Sequence, residues 1–456
     1  MNRESLWRAL VRHFFGRFFD TESLSPQGEP EANIIQTLGF LAAPGGFIVL
    51  LFQLLTFRGW SLVLIRCFFV SFSMIIMGFI VVFEWDALFP DRRDYQVLTP
   101  LPVSLSTLFL TKALALGMFL GMFLVDVNFF SILLWGGIDG GKDLFGIMAA
   151  HVVTVVLSGL FAALAMAAVQ GVLVTVLPSE VFRKVSMALQ TLLMGGLVML
   201  LFLSPMMAEK FQGLMQRHSP LVYYWPGYWF AGFYELLRPA VKNPELRELG
   251  RLAMRALAGV TLMFLATYLP GYRRHARKVL EAPQPSPKGP GRLSGVASRL
   301  VDRYILKHPL QHAVFHFINQ TITRSMKHRL FLASYAGVGG AIAVLTLGGD
   351  RSSPLRLSLT LSFILISALR AAFNFPSELR GNWAFQISET NHAREYLAAM
   401  RKWVLICAVA PLFALLAPVE FAFFPWPEAL FYLVFGVTVS VLLMELMFFG
   451  FRKVPF

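Results

Sequence analysis

Runs of about twenty apolar residues, separated by short polar turns, recur along almost the whole of this 456-residue chain. A helix needs roughly 20 mainly apolar residues to cross the hydrocarbon core of a bilayer, about 30 Å thick. Within lipid only helices and closed barrels satisfy their own backbone polar groups. Ten such runs are read as spans, at 36–57, 61–83, 113–135, 146–177, 186–205, 253–270, 330–348, 355–373, 403–424 and 428–450. The expected class is all-α: a polytopic membrane protein of about 10 transmembrane helices.

Composition agrees. Hydrophobic residues make up 56% and charged residues 14%, against about 25% charged in soluble globular chains. The net charge of +14 does not point to nucleic acid, because the basic residues lie mostly between apolar runs, where they orient the chain in the membrane. With the N-terminus inside, 27 of the 40 Lys and Arg fall on the cytoplasmic side and 11 on the outer side, with Arg66 and Arg370 inside spans. Both termini are therefore expected in the cytoplasm.

Four segments follow. Residues 1–35 interleave Arg3, Arg8, Arg12 and Arg17 with Trp7, Leu10, Phe14 and Phe18, the pattern of a basic amphipathic helix on the membrane surface rather than a signal peptide. Residues 36–272 form a first membrane half of about six spans. Residues 273–329 are a basic linker containing Pro and Gly, followed by an amphipathic helix, and 330–456 form a second half of about four spans. Within the first half, 206–252 is an outer segment whose aromatics, Trp225, Tyr228 and Trp229 among them, suit the headgroup level of a flat-lying helix.

Ionisable groups at membrane depth cost roughly 2.5–3.5 kcal/mol each on insertion scales and count as functional candidates. Arg66, Asp126, His151, Arg370 and Glu445 are the five. Asp126 is expected to pair with Arg66 or His151, and Arg370 with Glu445, either holding helices together or lining a substrate path. The two cysteines, Cys67 and Cys407, lie inside apolar runs and give no disulfide framework or CxxC site. His308, His312 and His316 are spaced by four along one helix face. Pro309 interrupts that row and neither carboxylate nor cysteine stands at ligand spacing, so no metal is expected.

Catalytic motifs are missing: there is no HExxH, GxSxG or paired-carboxylate arrangement. Gly136 to Asp143, GGIDGGKD, nearly fits a phosphate loop, but Asp143 stands where a Ser or Thr must ligate Mg²⁺. No ATPase is expected on this chain, and the chain is not read as an enzyme.

The polar stretch Glu84 to Lys112 carries Asp91, Arg92, Arg93 and Asp94 together with Pro100 and Pro102. Pro102 suits the first turn of a helix, so a short helix over 103–111 is expected to lead into the third span. After the eighth span FPSELRGNWAF repeats the layout, with Glu378, Arg380, Asn382 and Trp383. Each copy has an outward helix, an inward helix, a Phe-Pro, a charged run and a basic residue opening the next span. The two point the same way, a weak parallel internal repeat of a kind that transporters use.

Four stretches together, FPDRRDYQVLTPLPVSLSTLFLTKALAL, WPGYWFAGFYELL, TRSMKHRLFLASYAGVGGA and FPSELRGNWAFQISET, resemble the membrane subunits of bacterial ABC-2-type ABC exporters, in a poorly characterised branch. The resemblance implies a permease of the bacterial plasma (inner) membrane that couples export to ATP hydrolysis by a separate cytoplasmic ABC ATPase. ATP and Mg would sit on that partner and no cofactor on this chain. Its other partners would be membrane lipid and either a second copy or a second permease. The two charged loops would be the ATPase contacts. Ten spans rather than six depart from the simple half-transporter and leave the stoichiometry open. The alternative is a polytopic membrane enzyme or assembly factor acting on lipid-linked substrates without ATP.

Overall fold

A computed structural model of the chain describes residues 3–19, 60–88, 103–238, 244–281, 301–306, 308–347, 353–374 and 393–451. Among these the chain is all-helical, with thirteen α-helices and no strand. In chain order they are α1 (Arg3–Phe19), α2 (Leu62–Phe83), α3 (Leu105–Asp139), α4 (Leu144–Val176), α5 (Ser179–Gln216), α6 (Pro226–Leu237) and α7 (Pro244–Glu281). They continue as α8 (Pro309–Arg324), α9 (Met326–Leu347), α10 (Ser353–Ala372), α11 (Ala393–Val404), α12 (Ala410–Phe423) and α13 (Trp426–Met447). Eight helices of the described residues are long and apolar enough to cross a membrane, with mean hydropathies of 1.5–2.5, as in a multi-pass membrane protein. Of the ten expected spans, 36–57 lies outside the described residues, and 355–373 forms α10, which is not one of the eight.

Two compact units divide the chain. One comprises Met1–Ser186 and Leu203–Pro283, and the other comprises Met187–Phe202 and Gln284–Phe456.

In the first unit, α2 is the most enclosed span, because apolar side chains on nearly every face meet neighbours. Leu64 through Ser73 are buried without a break. It packs on α4 and α6, and α6 in turn on α7. The contact between α6 and α7 is a backbone approach through Gly232 and Gly250: a Cβ on Gly232 would stand 2.4 Å from Leu246 O, and one on Gly250 2.8 Å from Gly232 O. Small residues allow such approach between helices in lipid, where packing replaces the hydrophobic drive.

Capping explains the turn between α3 and α4. Gly140 takes φ +67°, a left-handed value that suits glycine, and its N–H closes α3 on Gly136 O. Asp143 then caps α4, its side chain accepting from Gly146 N at 3.0 Å. The apparent phosphate loop is thus a helix end, a turn and a helix cap.

At the other end of this unit, a 3-10 turn, Trp85–Leu88, follows α2. Trp85 is fully buried. Its indole N–H donates to Ser186 Oγ at 2.8 Å and its carbonyl accepts from Gln170 Nε2 at 2.7 Å. Tyr268 OH donates to Leu88 O. The stem of the charged loop is therefore fastened to α4, α5 and α7.

The expected short helix over 103–111 is not separate. Ser104 caps a helix at Thr107 N that runs unbroken for 35 residues to Asp139. It passes through Lys112, which is buried with its ammonium 5.7 Å from the centroid of Phe14. The amphipathic N-terminal helix is present, with Leu10, Phe14 and Phe18 buried. Phe18 stacks on Phe119 of α3 with centroids 4.8 Å apart.

In the second unit the core gathers Leu306, Phe315, Ile318, Leu369, Phe373, Trp403 and Phe448 among others. Residues Leu405–Val409 form a π-helical turn between α11 and α12. Lys402 reaches from α11 to Ile305 O at 2.8 Å and Gln311 Oε1 at 2.6 Å, fixing the chain that leads into α8.

Candidate functional site

Arg66 lies four residues after the start of α2, about 6 Å along the helix axis, and its side chain is only 4% exposed. A buried guanidinium is stable only when charge and hydrogen bonds compensate its lost hydration. Two carboxylates do so. Arg66 Nη1 donates to Glu235 Oε1 of α6 at 2.5 Å, and Nη2 donates to Asp139 Oδ2, the last residue of α3, at 3.2 Å. Glu235 is 1% and Asp139 13% exposed, so Asp139 forms the outer edge of the cluster.

Aromatic rings wall the guanidinium. Its Cζ stands 3.8 Å from the Tyr234 centroid and 5.7 Å from that of Trp135, a cation–π arrangement strengthened by desolvation. Trp135 in turn lies parallel to His151, with centroids 4.3 Å apart and planes 7° apart. Polar contacts continue inward from there. His151 Nε2 is 3.3 Å from Ser131 Oγ, Ser131 Oγ donates to Asn128 O, Asn128 Nδ2 donates to Ser73 Oγ, and Ser73 Oγ donates to Val155 O. The result is a polar seam between α2, α3 and α4.

Beside the cluster, Arg238 Nη1 donates to Asp143 Oδ2 at 2.8 Å. Asp143 and Arg238 line an open cavity of about 580 Å³ with Gly146, Ala150, Val153 and Leu237. The hydrogen bond from Gly146 N–H holds the Asp143 carboxyl below its ordinary pKa, and Arg238 adds to that effect.

The expected partners are corrected. Arg66 is held by Glu235 and Asp139 rather than Asp126, because α6 folds back against α2 and brings Glu235 to it. Asp126 is part-buried on α3, and its Oδ2 has no hydrogen-bond partner among the described residues. His151 adjoins the cluster through Trp135. Arg370 does not bind Glu445. It donates to Met447 O at 3.0 Å and Asn374 Oδ1 at 2.9 Å, with its guanidinium 4.8 Å from the Phe451 centroid. Glu445 pairs with Arg401 at 2.5 Å, and with side chains 37% and 42% exposed that pair contributes less than about 1 kcal/mol.

Nor do Trp225, Tyr228 and Trp229 lie free on a surface. Tyr228 is 3% exposed, stacks on Phe211 at 4.3 Å and donates to Met207 O. Trp225 Nε1 donates to Ser71 Oγ, and Trp229 Nε1 to Tyr223 O. Helix α6 is a packed element of the bundle. Asp91, Arg92, Arg93, Asp94, Pro100, Pro102, Glu378, Arg380, Asn382 and Trp383 lie outside the described residues.

Sequence does not single out Glu235, Asp139, Trp135 or Asn128, and it marks Tyr234 only as one of the interfacial aromatics. A lone carboxylate in the apolar, aromatic α6 was the available signal for Glu235. Chemically, one guanidinium between two carboxylates ties three helices together. It can also exchange a carboxylate for an incoming anion, Asp139 being the more accessible to replace. The chain matches no family model, no curated protein and no solved structure.

Proposed function

We propose that the chain is the membrane permease of an ATP-driven exporter of the ABC-2 type, coupled to an ATPase on a separate polypeptide. The observation that carries this reading is the buried Arg66–Glu235–Asp139 cluster at the ends of apolar helices. Ionisable groups held there mark substrate paths or the contacts that open and close them. In this reading the guanidinium accepts an anionic group of the cargo, or the cluster breaks and re-forms as the spans rock between two states.

The finer architecture belongs to the same proposal. About ten spans include 36–57 and α10, the two membrane halves begin near 36 and 330, and a parallel repeat relates their first three spans. The protein sits in a bacterial inner membrane with both termini in the cytoplasm, as the Lys and Arg distribution supports. Asp91 to Asp94 with Pro100 and Pro102, and Glu378, Arg380, Asn382 and Trp383, contact the ATPase, which holds ATP and Mg. The fastened stem at Trp85–Leu88 supports a loop that receives force. Nucleotide can bias such a two-state element only by differential affinity for its states. A second copy or second permease completes the assembly, and lipid surrounds it.

Copurification tests the proposal. A tagged chain should bring down a stoichiometric ATPase, and reversing both charges in R92E/R93E should release it while the permease still reaches the membrane. Purification of the chain without any ATPase, from membranes that retain export, refutes it.

A further inference from the structure

The fold supplies a carboxylate to the histidine row that the sequence lacks at helical spacing. His312 and His316, one turn apart on α8, both direct Nε2 at a single oxygen, Asp302 Oδ1, at 3.0 and 2.9 Å. Their ring centroids are 4.6 Å apart. All three potential ligand atoms lie within 4.8 Å of one another. His308 is not part of the group, because its Nδ1 accepts from Leu310 N and caps α8.

We infer that Asp302, His312 and His316 form a site for a first-row divalent cation of the zinc type. Two imidazole nitrogens and one carboxylate oxygen are donors that such ions accept, with water completing the coordination. Tetrahedral zinc with ligand bonds of roughly 2.0–2.2 Å needs its donors about 3.3 Å apart. The two nitrogen–oxygen distances are each within about 0.3–0.4 Å of that spacing, and the two nitrogens, no more than 4.8 Å apart, would draw together on the ion.

Access and preorganisation support the assignment. His312 is 45% exposed, His316 29% and Asp302 27%, so an ion reaches the group from solvent. The chain between the donors is already pinned, with Ile305 O and Gln311 Oε1 both bound to Lys402. Gln311 Nε2 is itself held by Glu395 Oε2 at 2.6 Å. Asp302 and α8 therefore meet at a fixed spacing before any ion arrives, which lowers the ordering cost of binding. Bound there, the ion would staple the stretch 301–304 to α8. This site belongs to the second unit and the charge cluster on α2 to the first, and it does not depend on the transport reading.

The test uses the full chain in detergent, purified through an affinity tag that contains no histidine and stripped with chelator. Zn²⁺ is titrated in competition with a chromophoric chelator, and Co²⁺ is added in its place to read coordination from visible ligand-field bands. One equivalent per chain is expected, with bands of four- or five-coordinate Co²⁺. H316A and D302N should each weaken Zn²⁺ at least about 100-fold, beyond the 10–100-fold typical of losing a supporting contact. H308A should leave affinity unchanged. Thermal midpoints without metal confirm that the variants are folded, and the near-isosteric D302N keeps a hydrogen-bond acceptor if H316A does not fold. Affinity that D302N leaves unchanged, or the lack of stoichiometric binding to the wild-type chain, overturns the assignment.

Discussion

Arg66 and Glu235, 169 residues apart in the chain, meet at 2.5 Å with neither side chain more than 4% exposed. Removing one member of a buried pair strands the other, at a cost of about 3–5 kcal/mol. Asp139 still neutralises Arg66, so E235A should fall near 3 kcal/mol, read as a lowered unfolding midpoint in detergent. Replacing the whole cluster, as in R66M/D139N/E235L, leaves no charge stranded and should recover most of that loss. A triple variant less stable than E235A would show that the cluster contributes more than mutual neutralisation.

Helix α6 holds Glu235 in place only because Gly232 lets it approach α7. A methyl group there meets Leu246 O at 2.4 Å, and a backbone oxygen cannot turn aside. G232A should cost about 1–3 kcal/mol. G213A, in open space on α5, should stabilise by roughly 0.5–1 kcal/mol, the ordinary gain of Ala over Gly within a helix. The opposite signs, measured in one detergent, distinguish close approach from helix propensity.

Asp143 supplies a pH dependence of known sign. Its carboxyl is held below the ordinary carboxylate pKa in the fold, chiefly by the Gly146 N–H bond and further by Arg238. The carboxylate therefore contributes stability that is present above its unfolded pKa and is lost as pH falls through the depressed folded value. Asparagine caps helices about as well as aspartate, so D143N should leave neutral-pH stability nearly unchanged. Unfolding midpoints measured from pH 6 down to 3 should fall less steeply for D143N than for the wild type.

Sequence made the spans legible because twenty apolar residues in a row have few other physical outcomes. It also flagged Arg66, a charge inside such a run. Its partners stayed hidden for different reasons. Glu235 lies in a segment whose aromatics suit a membrane surface equally well, and only the packing of α6 on α2 buries it. Asp139 sits in a glycine-rich turn that reads as solvated. Asp302 precedes His312 by ten residues across the break at Pro309, a separation that no helical period relates. Sequence alone starts the third span at 113, because Ser104 to Lys112 look amphipathic in isolation. The N-terminal helix covers that face and lets α3 begin two turns earlier.

That early start changes what α3 can transmit. Thirty-five residues without a proline make a rod about 52 Å long, from the polar loop at Ser104 to Asp139 beside Arg66. Pivoted at its loop end, a tilt of about 5° sweeps the far end by about 4.5 Å. Added along the line between Asp139 and Arg66, now 3.2 Å apart, that displacement carries the pair beyond the roughly 4 Å reach of an ion pair. A few degrees of leverage at the loop is enough to unlatch one arm of the charge cluster without unwinding a single turn.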